Sequence, residues 1–179
     1  MINPAEDIVN IWLQECKHHF TMNNVVVRRE NKKIGNKLIG GGRGKEIDII
    51  STNGKVYYWI EISVSANPRL ERKSVRLEKS VNMVIQKFHH SKEQYLRDRF
   101  GNKKFHKWFI YSHKLFPKNT DEMAKFCKIL KDNGINAISF NEILNEVYMK
   151  LNNMGYDVTR NYLYLLKKFN YGISESYRS

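Results

Sequence analysis

The chain is poor in cysteine, in proline and in long apolar runs, and each scarcity excludes a class of protein. Cys16 and Cys127 are its two cysteines, and their wide separation argues against a disulfide scaffold and a cysteine zinc site. With three prolines and no repeat, the sequence contains no collagen-like or low-complexity segment. Because no apolar run exceeds a few residues, we expect no membrane span. The first residues, MINPAEDIVNIW, do not resemble a signal peptide, so we expect a cytoplasmic protein.

Acidic residues are also scarce, and the resulting charge indicates the kind of partner. The chain has 31 Lys and Arg against 18 Asp and Glu, for a net charge of +13. Such an excess attracts polyanions, above all nucleic acid. The abundance of Lys, Asn and Ile over Ala is typical of an AT-rich genome, so codon bias accounts for part of the excess. However, residues 69–107 hold 12 basic residues against 4 acidic ones. This concentration favours a nucleic-acid partner.

Apolar periodicity and turn residues predict an α/β fold in a single domain spanning residues 1–179. We expect helices over residues 4–20, 69–90, 120–133, 141–151 and 162–169. We expect strands over residues 25–29, 45–51, 55–65, 105–112 and 135–140. Residues 31–44 are predicted to form a glycine-rich basic loop. The order α-β-β-β-α-β-α-β-α-α predicts a mixed sheet, with an antiparallel hairpin followed by βαβ crossovers.

Asn53-Gly54 indicates a tight hairpin between the second and third strands. With these two as the turn residues, residue 48 pairs with 59 and residue 46 with 61. Alternation then gives one polar face and one apolar face. The polar face is Glu46, Asp48, Trp59, Glu61 and Ser63. The apolar face is Ile47, Ile49, Ile60, Ile62 and Val64.

This register places three carboxylates on one patch of a basic protein. Glu46 is then opposite Glu61, and Asp48 is diagonal to Glu61 at roughly 7–8 Å. Like charges opposed across a ladder are destabilising, so the patch needs an explanation. One explanation is a divalent cation, Mg²⁺ or Mn²⁺, which binds carboxylate oxygens and activates a bound water. The other is a solvated hairpin face whose acids pair with neighbours such as Arg43 and Lys45. The basic surroundings and the glycine-rich loop favour the metal site.

The segments Gly42-Arg43-Gly44-Lys45-Glu46-Ile47-Asp48-Ile49-Ile50 and Trp59-Ile60-Glu61-Ile62-Ser63-Val64 resemble the PD-(D/E)XK nuclease superfamily. This superfamily shares the fold of type II restriction endonucleases and archaeal Holliday junction resolvases. The resemblance covers residues 4–112 and implies an αβββαβ core, with residues 113–179 adding a C-terminal α/β extension with extra helices. It implies that Asp48 and Glu61 hold the metal. It also implies that an acid from the first helix, Glu6 or Asp7, joins the site.

The chain departs from the family pattern at Ser63, which stands where the family has a lysine that orients the attacking water. In some members the following helix supplies this lysine, which makes Lys73 the candidate here. Lys73 could equally be a lysine extended along the edge of an apolar helix face. Arg43, Lys45, Arg69, Arg72 and Arg76 are expected to contact the phosphate backbone of the nucleic acid.

The resemblance and the charge together predict a metal-dependent endodeoxyribonuclease, of structure-specific or of restriction or repair type. The alternative is an inactive nuclease fold that binds nucleic acid as a subunit of a larger complex, and Ser63 favours it. An RNA-processing nuclease or an unrelated interaction protein is a third class. Apolar stripes in the C-terminal third predict a possible homodimer contact, although they would serve equally as intramolecular core.

Overall fold

The protein forms a mixed five-stranded sheet with helices on both faces. The computed structural model describes residues 4–27, 32–34, 37–39, 45–63, 77–112, 120–153 and 158–168. Its helices are α1 (Pro4–Ile11), a π-helical segment (Trp12–Cys16), α2 (Leu77–Lys87), α3 (His90–Phe100), α4 (Thr120–Asp132), α5 (Phe140–Lys150) and α6 (Val158–Lys168). Its strands are β1 (Phe20–Val27), β2 (Lys32–Ile34), β3 (Lys37–Ile39), β4 (Lys45–Thr52), β5 (Tyr57–Ser63), β6 (Phe105–Tyr111) and β7 (Ile135–Ser139).

The sheet topology confirms the predicted mixed α/β architecture. The strand order is β1-β4-β5-β6-β7. β1, β4 and β5 are antiparallel neighbours, whereas β5, β6 and β7 run parallel. Antiparallel strands can be joined by short turns, whereas parallel strands need crossovers. The change from one pattern to the other at β5 therefore follows from the hairpin and the α2–α3 crossover.

The first predicted helix is present, but its second half is π-helical. Pro4 begins the helix, and the acids Glu6 and Asp7 in its first turn suit the positive end of the helix dipole. From Trp12 onward the chain widens, and the backbone N–H of Lys17 donates to the Trp12 carbonyl at 3.2 Å. The wider turn buries Trp12, Leu13 and Cys16 together.

Two predictions near the N-terminus need correction. The first strand begins at Phe20 rather than at residue 25, because its exposed polar residues gave no alternating pattern. The segment 31–44, predicted as a loop, contains the antiparallel pair β2 and β3. Within that segment, the glycine-rich residues 40–44 lie outside the described residues.

The prediction of one long helix over residues 69–90 is wrong at its C-terminal end. The described part begins with α2, which stops at Lys87, and a second helix, α3, starts at His90. The His89 Nδ1 accepts a hydrogen bond from the Ser91 backbone N–H at 3.1 Å, which caps α3. α3 was not predicted because it buries only Lys92 and Leu96, too few residues for an apolar stripe.

The predicted hairpin register is also wrong, by two residues. Ile50 pairs with Trp59, and Thr52 pairs with Tyr57. The turn has four residues because the Asn53 Oδ1 accepts from the backbone N–H groups of Lys55 at 3.1 Å and of residue 56 at 2.9 Å. Extending the observed register places Asp48, rather than Glu46, opposite Glu61.

The two faces of the sheet carry separate core clusters. One cluster packs under α1, α5 and α6 and includes Ile49, Ile60 and Ile62. The other packs under α2, α3 and α4 and includes Trp59, Phe109 and Phe126. Ile47 belongs to this second cluster, so the prediction that it shares a face with Ile49 is wrong. Asn24 on β1 lies beside Asp48 on β4 and has a positive φ of 52°. The alternation of side chains between the two faces of the sheet changes at this point.

The C-terminal third supplies core residues. Ile143 and Val147 of α5, Leu151 just after that helix, and Leu163 of α6 are buried in the first cluster. These positions of the predicted stripes therefore serve intramolecular packing. No helix in the described part of the chain combines the length and the apolar character needed to cross a membrane.

Candidate active site

Asp48 and Glu61 are neighbours on adjacent strands. The Asp48 Oδ2 accepts a hydrogen bond from the Ile62 backbone N–H at 2.7 Å, which fixes the Asp48 carboxylate against β5. Glu61 is 1% exposed, whereas Asp48 is half-buried. The two carboxylates are close enough for the charge of Asp48 to raise the pKa of Glu61. The sequence predicted this pair, although by a register that the structure corrects.

Two donors hold one oxygen of the Glu61 carboxylate. The Glu61 Oε1 accepts from the Trp59 Nε1 at 2.7 Å and from the Lys92 Nζ at 2.6 Å. Burial raises the pKa of Glu61 from its ordinary 4.5 to about 6, and the Asp48 charge adds to this rise. The charge and hydrogen bond of Lys92 lower it in part. Glu61 therefore changes its charge near neutral pH.

Two lysines reach the Glu61 carboxylate from the face of the sheet that is covered by α2 and α3. Lys92 of α3 is 5% exposed, and its ammonium is paired with Glu61. Lys87, at the end of α2, lies 4.0 Å from the Glu61 Oε2 and donates to the Ile62 carbonyl at 3.3 Å. The Lys87 side chain is 37% exposed, so its charge remains accessible from solvent. Lys92 is thus a buried partner, and Lys87 faces the open side.

Sequence reasoning missed both lysines. Lys87 is on the helix that was predicted over residues 69–90, about 100° from the centre of its apolar stripe. A search of that helix for every lysine within about 100° of the stripe's centre would have found it. Lys92 lies in a helix that was not predicted, so no helical angle could be assigned to it. Lys73, the residue that was predicted, lies outside the described residues.

The other predicted acids form a second group. The Asn24 side-chain amide, oriented so that its nitrogen faces the carboxylates, donates to the Glu6 Oε2 at 2.8 Å and to the Glu46 Oε1 at 3.1 Å. The structure thus brings Glu6 and Glu46 together through Asn24. Glu46 is two residues before Asp48 on β4. Within the described ranges, no three His, Cys, Asp or Glu side chains converge into a group able to hold a metal ion.

The Asp48–Glu61 pair fits a two-carboxylate magnesium site. Each carboxylate has one oxygen fixed by an N–H donor. The oxygens that a metal ion could bind are the Asp48 Oδ1 and the Glu61 Oε2, and the latter lies 4.0 Å from the Lys87 ammonium. Mg²⁺ in phosphate-processing proteins uses one or two carboxylates and completes its octahedron with waters and phosphate oxygens. A third protein carboxylate is therefore not required for this class of site.

Of the five residues predicted to contact phosphate, the structure describes one, Lys45. Arg43, Arg69, Arg72 and Arg76 lie outside the described residues. Lys45 begins β4, where it pairs with Val27 and is half-buried. Ser63, at the family's lysine position, ends β5 and is half-buried.

Searches of protein-family models, of curated proteins and of solved structures each found no match to this chain. The function of the chain is therefore inferred from the chemistry of the site itself.

Proposed function

We propose that the chain is a metal-dependent nuclease that hydrolyses phosphodiester bonds of DNA. The observation that carries the proposal is the Asp48–Glu61 pair on neighbouring strands, with Lys87 beside it. The element order also supports it: with the β2–β3 pair and α3 set aside as additions, α1-β1-β4-β5-α2-β6 follows the αβββαβ order that the resemblance implies. The net charge of +13 suits a polyanionic substrate.

Each residue at the site has a distinct task in this proposal. Asp48 and Glu61 hold Mg²⁺ or Mn²⁺, and the bound ion neutralises phosphate charge and lowers the pKa of its water. The Ile62 N–H orients Asp48, while Trp59 and Lys92 orient Glu61. These donors hold the two carboxylates in a fixed orientation before the substrate binds.

Lys87 takes the place of the lysine that the family motif has at Ser63. Its ammonium lies within 4.0 Å of the Glu61 carboxylate and is accessible, which is the geometry needed to stabilise a developing negative charge on phosphate. The Lys92 ammonium is already bonded to the Glu61 Oε1 at 2.6 Å, so it serves to orient Glu61. Ionised Glu61 is the ligand form, and its pKa without metal is about 6, so metal binding should weaken as the pH falls below this value.

The pairing of Glu61 with Lys92 favours a second candidate function. At 2.6 Å the Lys92 ammonium already neutralises this carboxylate, as a metal ion would. If the ion pair replaces the metal, the chain is an inactive nuclease fold that binds nucleic acid within a larger complex. Metal-independent DNA binding without cleavage would then be the activity of the protein.

The decisive experiment compares two aspartate variants in a plasmid-nicking assay with Mg²⁺ or Mn²⁺. Asp48→Asn should reduce cleavage by at least about 1,000-fold, because a metal ion's charge stabilisation is worth several kcal/mol. Asp98→Asn, an exposed change on α3, is the matched control and should cleave normally. Cleavage that survives Asp48→Asn would overturn the proposal. Tight DNA binding by the wild type without any cleavage would favour the second candidate.

A further inference from the structure

A small basic cleft opens between α3, the 101–104 turn and the start of β6. Its volume is about 200 Å³, and its wall carries Arg97, Lys103, Lys104 and Lys107. Glu93 is the one acid among the lining residues, so the lining carries a net charge of +3. Trp59 is also one of the lining residues. A cleft of this size is below the 300–1,000 Å³ of pockets for drug-sized ligands, and it suits a phosphate group better than a whole nucleotide.

The chain builds this cleft through the end of α3. Gly101 ends the helix with a φ of +68°, a conformation that costs a residue with a Cβ. The turn that follows contributes Lys103 and Lys104 to the lining of the cleft, and the last turn of α3 contributes Arg97. Three exposed cations from two segments therefore face one opening.

Aromatic and acidic neighbours hold two of the lysines in place. The Lys107 Nζ donates to the Glu93 Oε1 at 2.7 Å and lies 5.5 Å from the centre of the Trp59 ring. The Lys103 Nζ lies 6.0 Å from the centre of the Tyr57 ring. Such cation–π contacts restrict long side chains that would otherwise sample many rotamers. The cleft is thus more ordered than a scatter of surface lysines.

Trp59 joins the cleft to the Asp48–Glu61 pair. It is one of the residues that line the cleft, and its Nε1 donates to the Glu61 carboxylate at 2.7 Å. Residues two apart on a strand face lie about 6.6–6.8 Å apart along the strand. The cleft and the candidate active site are therefore neighbouring positions on one sheet face, both on the side of α2 and α3.

We propose that this basic cleft binds a backbone phosphate of the DNA strand whose neighbouring phosphodiester lies at Asp48 and Glu61. The proposal rests on the proposed function, since it takes the same DNA as substrate. Arg97, Lys103 and Lys104 contact phosphate oxygens and supply affinity without reading the sequence. Lys107 and Glu93 keep the wall of the cleft in position.

The test measures DNA binding without metal, by fluorescence anisotropy of a labelled duplex of about 20 base pairs in EDTA. The cleft variant is Arg97→Gln/Lys103→Gln/Lys104→Gln. We expect its affinity at about 100 mM salt to fall at least about ten-fold. We also expect the slope of log K against log salt to become shallower by about 2, since about 0.9 is lost for each phosphate contact on a duplex.

The matched control removes three charges elsewhere. Lys125→Gln/Lys128→Gln/Lys131→Gln changes three exposed lysines of α4 and lowers the net charge equally. It should bind within about two-fold of the wild type. An equal loss in both variants, or wild-type binding by the cleft variant, would overturn the proposal. Because this assay involves no cleavage, its outcome is independent of the Asp48→Asn nicking result, and either proposal can fail alone.

Discussion

Replacing Lys92 with methionine should destabilise the protein strongly above pH 7 and weakly below pH 5. Lys92 and Glu61 form a buried ion pair whose side chains are only 7% and 2% exposed. Removing one partner of such a pair costs about 3–5 kcal/mol, because the other charge stays buried and uncompensated. Lys92→Met should therefore lower the free energy of unfolding by about that amount at pH 7.5.

The pH dependence follows from the raised pKa of Glu61. In the wild type this pKa is about 6 in the folded state, against an ordinary value of 4.5. The folded state therefore binds the proton more tightly than the unfolded state. The corresponding stability is fully present below about pH 4.5 and is lost as the pH rises through 6, by about 2 kcal/mol in total. At pH 5 the carboxyl is mostly protonated, so losing Lys92 should cost less than about 1 kcal/mol.

Urea unfolding at pH 5.0 and pH 7.5 measures both effects. The double variant Lys92→Met/Glu61→Gln is the control, because it removes both charges while the amide oxygen of the introduced glutamine can still accept from the Trp59 indole N–H. It should recover most of the stability lost by Lys92→Met alone at pH 7.5. A loss that is equal at the two pH values, or a double variant as unstable as the single one, would refute the reasoning.

Further predictions concern the lysine near the site, its indole donor, a remote carboxylate and the assembly. Lys87→Met should reduce metal-dependent cleavage by about 100-fold, whereas Lys79→Met on the same helix should leave the initial rate unchanged. Trp59→Phe should lower the free energy of unfolding in urea by about 1–3 kcal/mol, since Glu61 loses a buried donor. Glu146→Gln, which weakens the hydrogen bonds from Trp12 and Lys17, should cost about 1 kcal/mol in the same assay without changing cleavage. Light scattering tests the homodimer contact predicted from the C-terminal apolar stripes; because Ile143, Val147 and Leu163 are buried in the core of the chain itself, we expect a 21.3 kDa monomer at micromolar concentration, and a dimer would contradict this.

Much of the architecture could be predicted because it depends on local patterns. The strand FHKWFIY and the helix that stops before Gly134 were both identified from alternation and from a helix-ending glycine. The mixed sheet followed from the order of elements. α3 could not be predicted this way, because its buried face includes a lysine whose partner, Glu61, lies on a distant strand. Periodicity counts such a residue as polar surface.

The site was predicted as a pair of acids but not as a geometry. Asn53-Gly54 predicted a two-residue turn. The turn has four residues because the Asn53 Oδ1 accepts from two backbone N–H groups and the Thr52 hydroxyl donates to the Val56 carbonyl. A shift of two positions does not by itself exchange the faces of a strand, but it changes which acid lies opposite Glu61. The lysines that contact Glu61 come from the crossover helices, and only tertiary packing brings them there.

The proposed function requires that Asp48 and Glu61 together hold a divalent ion. The most direct measurement is a crystal structure of the wild type soaked in Mn²⁺, with the ion located by its anomalous scattering. We predict one ion bound by carboxylate oxygens of both residues at about 2.0–2.6 Å. The contrary result is a crystal that binds Mn²⁺ at other positions but has no ion at Asp48 and Glu61, with Glu61 still bonded to the Lys92 ammonium.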